Sequence, residues 1–327
     1  VLTFDVDTLR WPLREPFAIS RGVQTQVAAI VVTLVDRDGH CGRGEACGVP
    51  YAGETPETMT AQIEAIRSVI EAGVDRHTLL DILPAGGARC ALDAALWDLE
   101  AKRSGRSAFL AAGLAAPRSL VTAYTIGIRP TADYETAAAA RANQALLKIK
   151  VDAKDPVAAV AAARRGAPHA AFIVDPNQSW SLDALEGFAP RMAELGVVLL
   201  EQPIEVGREQ GLDGYACPVR LCADELINGP SDLAKAKGRF DVINIKLDKT
   251  GGLTAALQLA GAARDQGFDL MVGCMAGSSL SMAPAFVLGQ QCRFVDLDGP
   301  LLQSTDWPDG IVYRDGVASP PSPALWG

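Results

Sequence analysis

Histidine is nearly missing from this chain: three residues, His40, His77 and His169, among 327. None of the three follows a strand-like run in the repeating part of the sequence, which argues against histidine-based zinc sites and Ser-His-Asp chemistry. Seven cysteines occur, an odd number, and no C-x-x-C pair is found among them. They read as reduced thiols of a cytosolic protein, not as a disulfide framework. A glycine-rich phosphate loop of the Walker or dinucleotide type is absent. No apolar run approaches the roughly 20 residues that span a bilayer, and the opening VLTFDVDTLR does not read as a secretory signal. A cytoplasmic protein is therefore expected. Basic residues are in deficit, 30 Lys and Arg against 39 Asp and Glu, for a net charge of −9. That balance argues against nucleic acid or an anionic membrane as a partner.

What is present is a repeat of short apolar runs that end in a charged or small residue. ALLKIKV carries Lys148 and Lys150, two apart, so in a strand both ammonium groups leave one face. After it come AFIVD to Asp175, VVLLE to Glu201, RLCAD to Asp224, DVINIK to Lys246, DLMVG to Gly273 and RFVDLD through Asp296 to Asp298, at steps of 22–27 residues. LVTAYT, with Thr125, precedes them at the same period. The intervening stretches, such as DPVAAVAAARR and LTAALQLAGAARDQG, read as helices. Eight strands alternating with helices predict an α/β chain closed into a (β/α)8-type, TIM-like barrel, in which residues at the strand C-terminal ends converge on one mouth. Ahead of the barrel, strands are expected over 2–10, 27–36 and 41–47, and helices over 56–72 and 87–104, with Thr55 as a cap. This predicts an N-terminal α+β capping domain over residues 1–115, the barrel with its site over 116–300, and a C-terminal segment, 301–327, that returns to the capping domain. The stretch REPFAISRGVQT reads as a polar loop whose Arg21 is either an anion-binding group or a solvated arginine.

Asp175, Glu201 and Asp224 are three oxygen donors without histidine or cysteine, a set that favours Mg²⁺. Asn177, in DPNQSW, either supports that shell or is simply a turn residue. Lys150 and Lys246 fall on the second and sixth strands, across a barrel from each other. Two amines flanking one carbon can remove a proton from one face and return one to the other, a racemisation or epimerisation, with Lys148 stabilising the enediolate. For this each lysine must be partly neutral, and a nearby cation would favour that. Asp296 and Asp298 share a face and need a cation between them, from a substrate ammonium or a second metal, or else lie at a solvated strand end.

The motifs LKIKVD, VDPNQSW, LLEQP, CADE, NIKLDKTGG, VGCMAGSSLSMAPA and VDLDGPLL, with AALWDLEAKRSG before them, resemble the muconate-lactonizing subgroup of the enolase superfamily, and within it the dipeptide epimerases. The resemblance implies Lys150 and Lys246 as acid/base residues, Lys148 on the substrate carboxylate, and Asp175, Glu201 and Asp224 as Mg²⁺ ligands. It further implies Asp296 and Asp298 on a dipeptide α-ammonium, Arg21 on a glutamate side chain, and Thr125 near the substrate. The expected activity is epimerisation of the C-terminal residue of a small dipeptide such as L-Ala-L/D-Glu, by a homo-oligomer. N-acylamino acid racemase, o-succinylbenzoate synthase and muconate-type cycloisomerase are the alternatives on the same fold. Ala276-Gly277 departs from relatives that carry an acid there, which bears on which dipeptide fits.

Overall fold

The chain opens with a long antiparallel hairpin, Leu2–Ile19 against Gly22–Asp36, followed by Cys41–Ala46 on the far side of the second strand. The structure is a computed structural model and describes residues 2–19 and 22–327. The described residues of the stretch expected to be a loop belong instead to this hairpin: Phe17 pairs with Gln24, Ala18 with Val23 and Ile19 with Gly22, after an irregularity between Pro12 and Phe17. The backbone carbonyl of Ala18 accepts from Ile128 N at 2.8 Å, which docks the tip on the barrel. Arg21 lies outside the described residues.

Helix Gly87–Ser104 covers the three-stranded sheet. Its alanines pack directly on Gly42 and Gly44, where a Cβ would stand 2.3 Å from Ala95 O and 2.1 Å from Ala91 O, so only glycine allows the approach. The helix expected over 56–72 is two, Pro56–Ala65 and Arg67–Gly73, broken at Ile66 by φ −111°, ψ 18°. No proline or glycine marks that break, so the residue pattern could not signal it. Thr55 does cap the first piece, exchanging hydrogen bonds with Thr58.

Eight parallel strands follow in sequential order: Tyr124–Ile126, Leu146–Lys150, Ala171–Asp175, Val197–Glu201, Leu221–Ala223, Val242–Lys246, Asp269–Gly273 and Phe294–Val295. Ala123 N donates to Val295 O at 2.8 Å, so the two ends of the curled sheet meet. Helices Pro156–Gly166, Leu182–Glu194, Leu253–Asp265 and Ser279–Gly289 pack outside. The crossovers after the fourth and fifth strands depart from the expected pattern. They hold a 3₁₀ turn, Glu209–Leu212, and a 3₁₀ turn running into the single helical turn Leu233–Ala236. Pro203, Gly207, Gly211, Gly214 and Pro218 in one, and Gly229, Pro230 and Gly238 in the other, break any longer helix.

Inside the barrel one residue from each strand or its leading edge forms an apolar layer: Ala123, Leu146, Ile173, Leu199, Cys222, Val242, Met271 and Phe294. Because side chains alternate along a strand, the residues two further on share that interior face. They are Thr125, Lys148, Asp175, Glu201, Asp224, Asn244, Gly273 and Asp296. Five of these eight are ionisable, so the barrel interior changes from an apolar to a largely ionic layer within one interior-facing step.

The C-terminal segment runs back to the capping helix. Trp326 Nε1 donates to Ala94 O at 2.9 Å and Gly327 N to Asp98 Oδ1 at 2.7 Å. Between helix Gly87–Ser104, the loop after strand Cys41–Ala46 and the barrel lies a seam of buried polar contacts. Asp248 Oδ1 accepts from Cys47 N and Gly48 N at 2.8 Å each, and Asp93 accepts from Thr254 Oγ1 at 2.5 Å and Thr254 N at 3.1 Å. Among the described residues no helix is long and apolar enough to cross a membrane.

Candidate active site

The ionic layer opens into a cavity of about 410 Å³ between the barrel mouth and the capping elements. Thr125, Lys148, Lys150, Lys246, Asp296 and Asp298 line it from the barrel. Ile19 and Gly22 of the hairpin tip, and Tyr51 of the 3₁₀ turn Pro50–Ala52, close it from the other side. Lys150 and Lys246 belong to the second and sixth strands, four places apart in a ring of eight, so their ammonium groups enter from opposite walls.

Beneath the cavity the acids meet the lysines. Lys148 Nζ lies 2.8 Å from Glu201, 2.9 Å from Asp296 and 3.1 Å from Asp175. Lys150 Nζ donates to Asp175 Oδ2 at 2.5 Å and Lys246 Nζ to Asp224 Oδ2 at 2.7 Å. All these side chains are buried. Burial alone would push the carboxyls up, but the Lys150 and Lys148 ammoniums outweigh it at Asp175, and those of Lys246 and Lys249 at Asp224, so both are held below the usual range. Glu201 goes the other way, pushed up to about 8 by burial and by the negative charge of Asp175. Burial and the neighbouring Asp296 likewise push Asp298 up to about 7, although Thr125 N donates to its Oδ2 at 2.6 Å. Burial favours a neutral Lys246, yet Asp224 overrides it and raises the ammonium's pKa. In this arrangement Lys148 and Lys246 are stabilised as cations. The partial neutrality expected of Lys246 needs a further positive charge beside it.

Asp296 and Asp298 do not lie on the eighth strand, as the sequence reading placed them. That strand ends at Val295 because its ladder to the seventh has two pairs, Met271 with Phe294 and Val272 with Val295. Asp298 instead precedes the short helix Gly299–Leu302, and both carboxylates still face the cavity.

Several site residues escaped the sequence reading. Asn244 Nδ2 donates to Glu201 Oε1 at 2.9 Å. It stands two before Lys246, so strand periodicity could have found it. Lys249 is buried against Asp224, with Nζ 2.7 Å from Oδ1 and also bonded to the Asp224 carbonyl. Its sign was a second lysine one helical turn after the first. Gln202 Oε1 accepts from Asp224 N at 2.9 Å and so fixes the backbone under that acid. No periodicity points to it.

Six buried carboxylates, those of Asp175, Glu201, Asp224, Glu225, Asp296 and Asp298, face four buried ammoniums, those of Lys148, Lys150, Lys246 and Lys249. An excess of buried hard oxygen donors over cations fits a small divalent ion. Among the described residues, the one group of three acid or histidine donor atoms within 4.8 Å of each other is elsewhere, at Asp36, Asp38 and His40. There Arg103 already pairs with Asp36 at 2.7 Å. At the mouth, lysine ammoniums lie between the acids.

Two family descriptions match the chain: the mandelate racemase/muconate lactonizing enzyme N-terminal domain over residues 3–109, and the enolase C-terminal domain-like family over 133–323. An N-acetyl-D-glutamate racemase from Pseudoalteromonas sp. is 43% identical, over 91% of this chain and 95% of its own length. The L-Ala-D/L-Glu epimerase of Escherichia coli K12 is 40% identical, over 94% of this chain and 96% of its own. A crystal structure of an enolase family member from Agrobacterium tumefaciens with homology to dipeptide epimerases, holding sodium and L-Ala-L-Glu, superposes with a TM-score of 0.97 at 42% identity and covers 100% of both chains. The chain belongs to the mandelate racemase/muconate lactonizing enzyme family of the enolase superfamily.

Proposed function

We propose that this protein is a Mg²⁺-dependent dipeptide epimerase that inverts the α-carbon of the C-terminal residue, with L-Ala-L/D-Glu as its substrate. The observation that carries the reading is the pair of lysines entering one cavity from opposite walls, with Asp296 and Asp298 at its edge.

Lys150 and Lys246 are the two acid/base groups, each serving one face of the α-carbon. One takes the proton as the C–H bond breaks, and the electron pair moves into the carboxylate to give an enediolate. The other delivers a proton to the opposite face. Asp175, Glu201 and Asp224 would hold Mg²⁺, whose positive charge would lower the cost of the developing enediolate and favour neutral lysine. Lys148 adds a fixed ammonium beside the substrate carboxylate. Asp296 and Asp298 hold the α-ammonium of the first residue, and Thr125, bonded to Asp298, keeps that carboxylate in place. Arg21 pairs with the glutamate side chain; the hairpin residues on either side of positions 20 and 21, Ile19 and Gly22, line the cavity.

A second reading, racemisation of an N-acylated glutamate, is favoured by the 43% identity to the N-acetyl-D-glutamate racemase. The two substrates share the C-terminal half and differ in the free ammonium, so the two acids discriminate between them. With purified, Mg²⁺-loaded enzyme, kcat/KM for L-Ala-L-Glu is expected to exceed that for N-acetyl-L-Glu. Asp296→Ala should lower the first by about 10²-fold, the scale of a charge-assisted contact of ~3 kcal/mol, and lower the second by much less, through the lost pairing with Lys148 alone. Faster turnover of N-acetyl-L-Glu by the unaltered enzyme, or no effect of Asp296→Ala on the dipeptide, would reject the dipeptide reading.

A further inference from the structure

The two lysines on opposite walls are held by different kinds of partner. Lys246 donates to a carboxylate, Asp224. Lys150 donates to the Asp175 carboxylate and also to an amide, with its Nζ 3.0 Å from Asn177 Oδ1. Asn177 is buried, with 6% of its surface exposed, and its own N–H donates to Asp175 Oδ1 at 2.9 Å. It adopts φ +47°, in the left-handed region that asparagine tolerates better than most residues, and Gln178 follows at φ +67°. On its far side Asn177 Nδ2 lies 3.5 Å from Glu225 Oε1, and Glu225 is buried as well. A carboxylate accepts and an amide NH₂ donates, so Glu225 draws the NH₂ end toward itself and leaves the amide oxygen facing Lys150.

A neutral amine has two N–H groups and one lone pair. At Lys150 two acceptors, Asp175 Oδ2 and Asn177 Oδ1, are in place for the two N–H groups. With both engaged, the lone pair has one direction left, into the cavity.

We propose that Asn177, oriented by Glu225, is a positioning residue for Lys150 and serves only the half-reaction on the face of the substrate that Lys150 attends. The inference rests on the epimerase reading above. In that half-reaction the α-carbon C–H bond breaks, the electron pair remains in the enediolate and the proton passes to Lys150 Nζ; the reverse step returns it to carbon. The half-reaction at Lys246 does not pass through the amide.

Deuterium uptake at the α-carbon in D₂O, followed separately from L-Ala-L-Glu and from L-Ala-D-Glu with Mg²⁺-loaded enzyme, reads each half-reaction by itself. Lys150→Met and Lys246→Met assign which epimer each lysine deprotonates. Asn177→Gly removes the amide while leaving the left-handed backbone free of strain. It is expected to slow uptake by about 10- to 100-fold from the epimer that Lys150→Met silences, and to change the other by less than about threefold. Glu225→Gln should give a smaller loss with the same one-sidedness, and it carries the test if Asn177→Gly does not fold. Equal losses from both epimers, or no loss from either, overturn the proposal. An unaltered enzyme that takes up deuterium from neither epimer overturns the epimerase reading itself, and this inference with it.

Discussion

The barrel mouth and the seam beneath the capping helix both bury carboxylates, and they stabilise them in opposite ways. At the mouth, Asp175 and Asp224 touch ammonium groups that hold them below the usual carboxylate range. At the seam, Asp248 is met by two backbone N–H groups and Asp93 by a hydroxyl and a backbone N–H. Burial dominates there and pushes Asp248 up to about 7 and Asp93 to about 6. Buried charge by itself therefore does not mark a catalytic site. What marks the mouth is opposite charge gathered around an open cavity, whereas the seam uses its acids to fasten one part of the chain to another. Glu201 and Asp298 show the limit of the contrast: they sit at the mouth yet are pushed up, by burial first and then by a neighbouring carboxylate, Asp175 and Asp296 respectively.

The strongest way to break this comparison is to remove the mouth lysines one at a time. Lys150→Met and Lys246→Met are each expected to lower kcat/KM for L-Ala-L-Glu epimerisation by at least about 10³-fold, the range of a lost acid/base group. Circular dichroism should remain unchanged. If either variant kept a tenth of the activity or more, the mouth would be no more catalytic than the seam.

Next in size is the matching change at the seam. Asp248→Ala leaves Cys47 N–H and Gly48 N–H buried without their acceptor, at about 1–3 kcal/mol each. A fall of roughly 2–5 kcal/mol in urea-unfolding stability is expected, with kcat/KM of the folded fraction changed far less than by the lysine variants. A large loss of activity at full stability would place Asp248 with the mouth.

The smallest effect separates the two regions by pH. Asp93 has a folded-state pKa of about 6, above the ~3.9 of an unfolded aspartate. Between those values the folded state holds more protons than the unfolded one, so this residue makes stability fall as pH rises from about 4 to about 6, and level off above. Asp93→Asn removes that contribution. Comparing unfolding free energies at pH 4.5 and 7.5, the decline should be shallower in the variant by at most about 2 kcal/mol, since one proton held across one pH unit is worth about 1.4 kcal/mol and about 1.5 units of the window lie below the folded pKa. An unchanged slope would show that the Thr254 contacts already balance the burial of the acid.

Much of the mouth was legible because strands have a period of two. Lys148 and Lys150 had to share a face, and acids ending successive runs had to gather at one end of a barrel. The same count would have exposed Asn244. Lys249 and Gln202 were less visible, since their roles depend on which neighbour a side chain reaches. The hairpin tip read as a loop because it is polar; pairing from Phe17 to Gln24 extends it over the cavity. The fourth and fifth crossovers carried their own warning in proline and glycine, whereas the break at Ile66 carried none.

The sequence by itself determined which residues carry charge, in what order, and on which side of each strand, because alternation is a local property of the backbone. Tertiary structure decided which carboxylate faces an ammonium and which faces an N–H. It also set the second and sixth strands opposite each other and brought Asp298 onto Thr125, 173 residues earlier in the chain. Those choices depend on how the sheet closes and where the capping elements dock, and they fix the local charge balance that sets each group's protonation. No periodicity along the chain encodes that balance, since it is a sum over neighbours brought together only by folding.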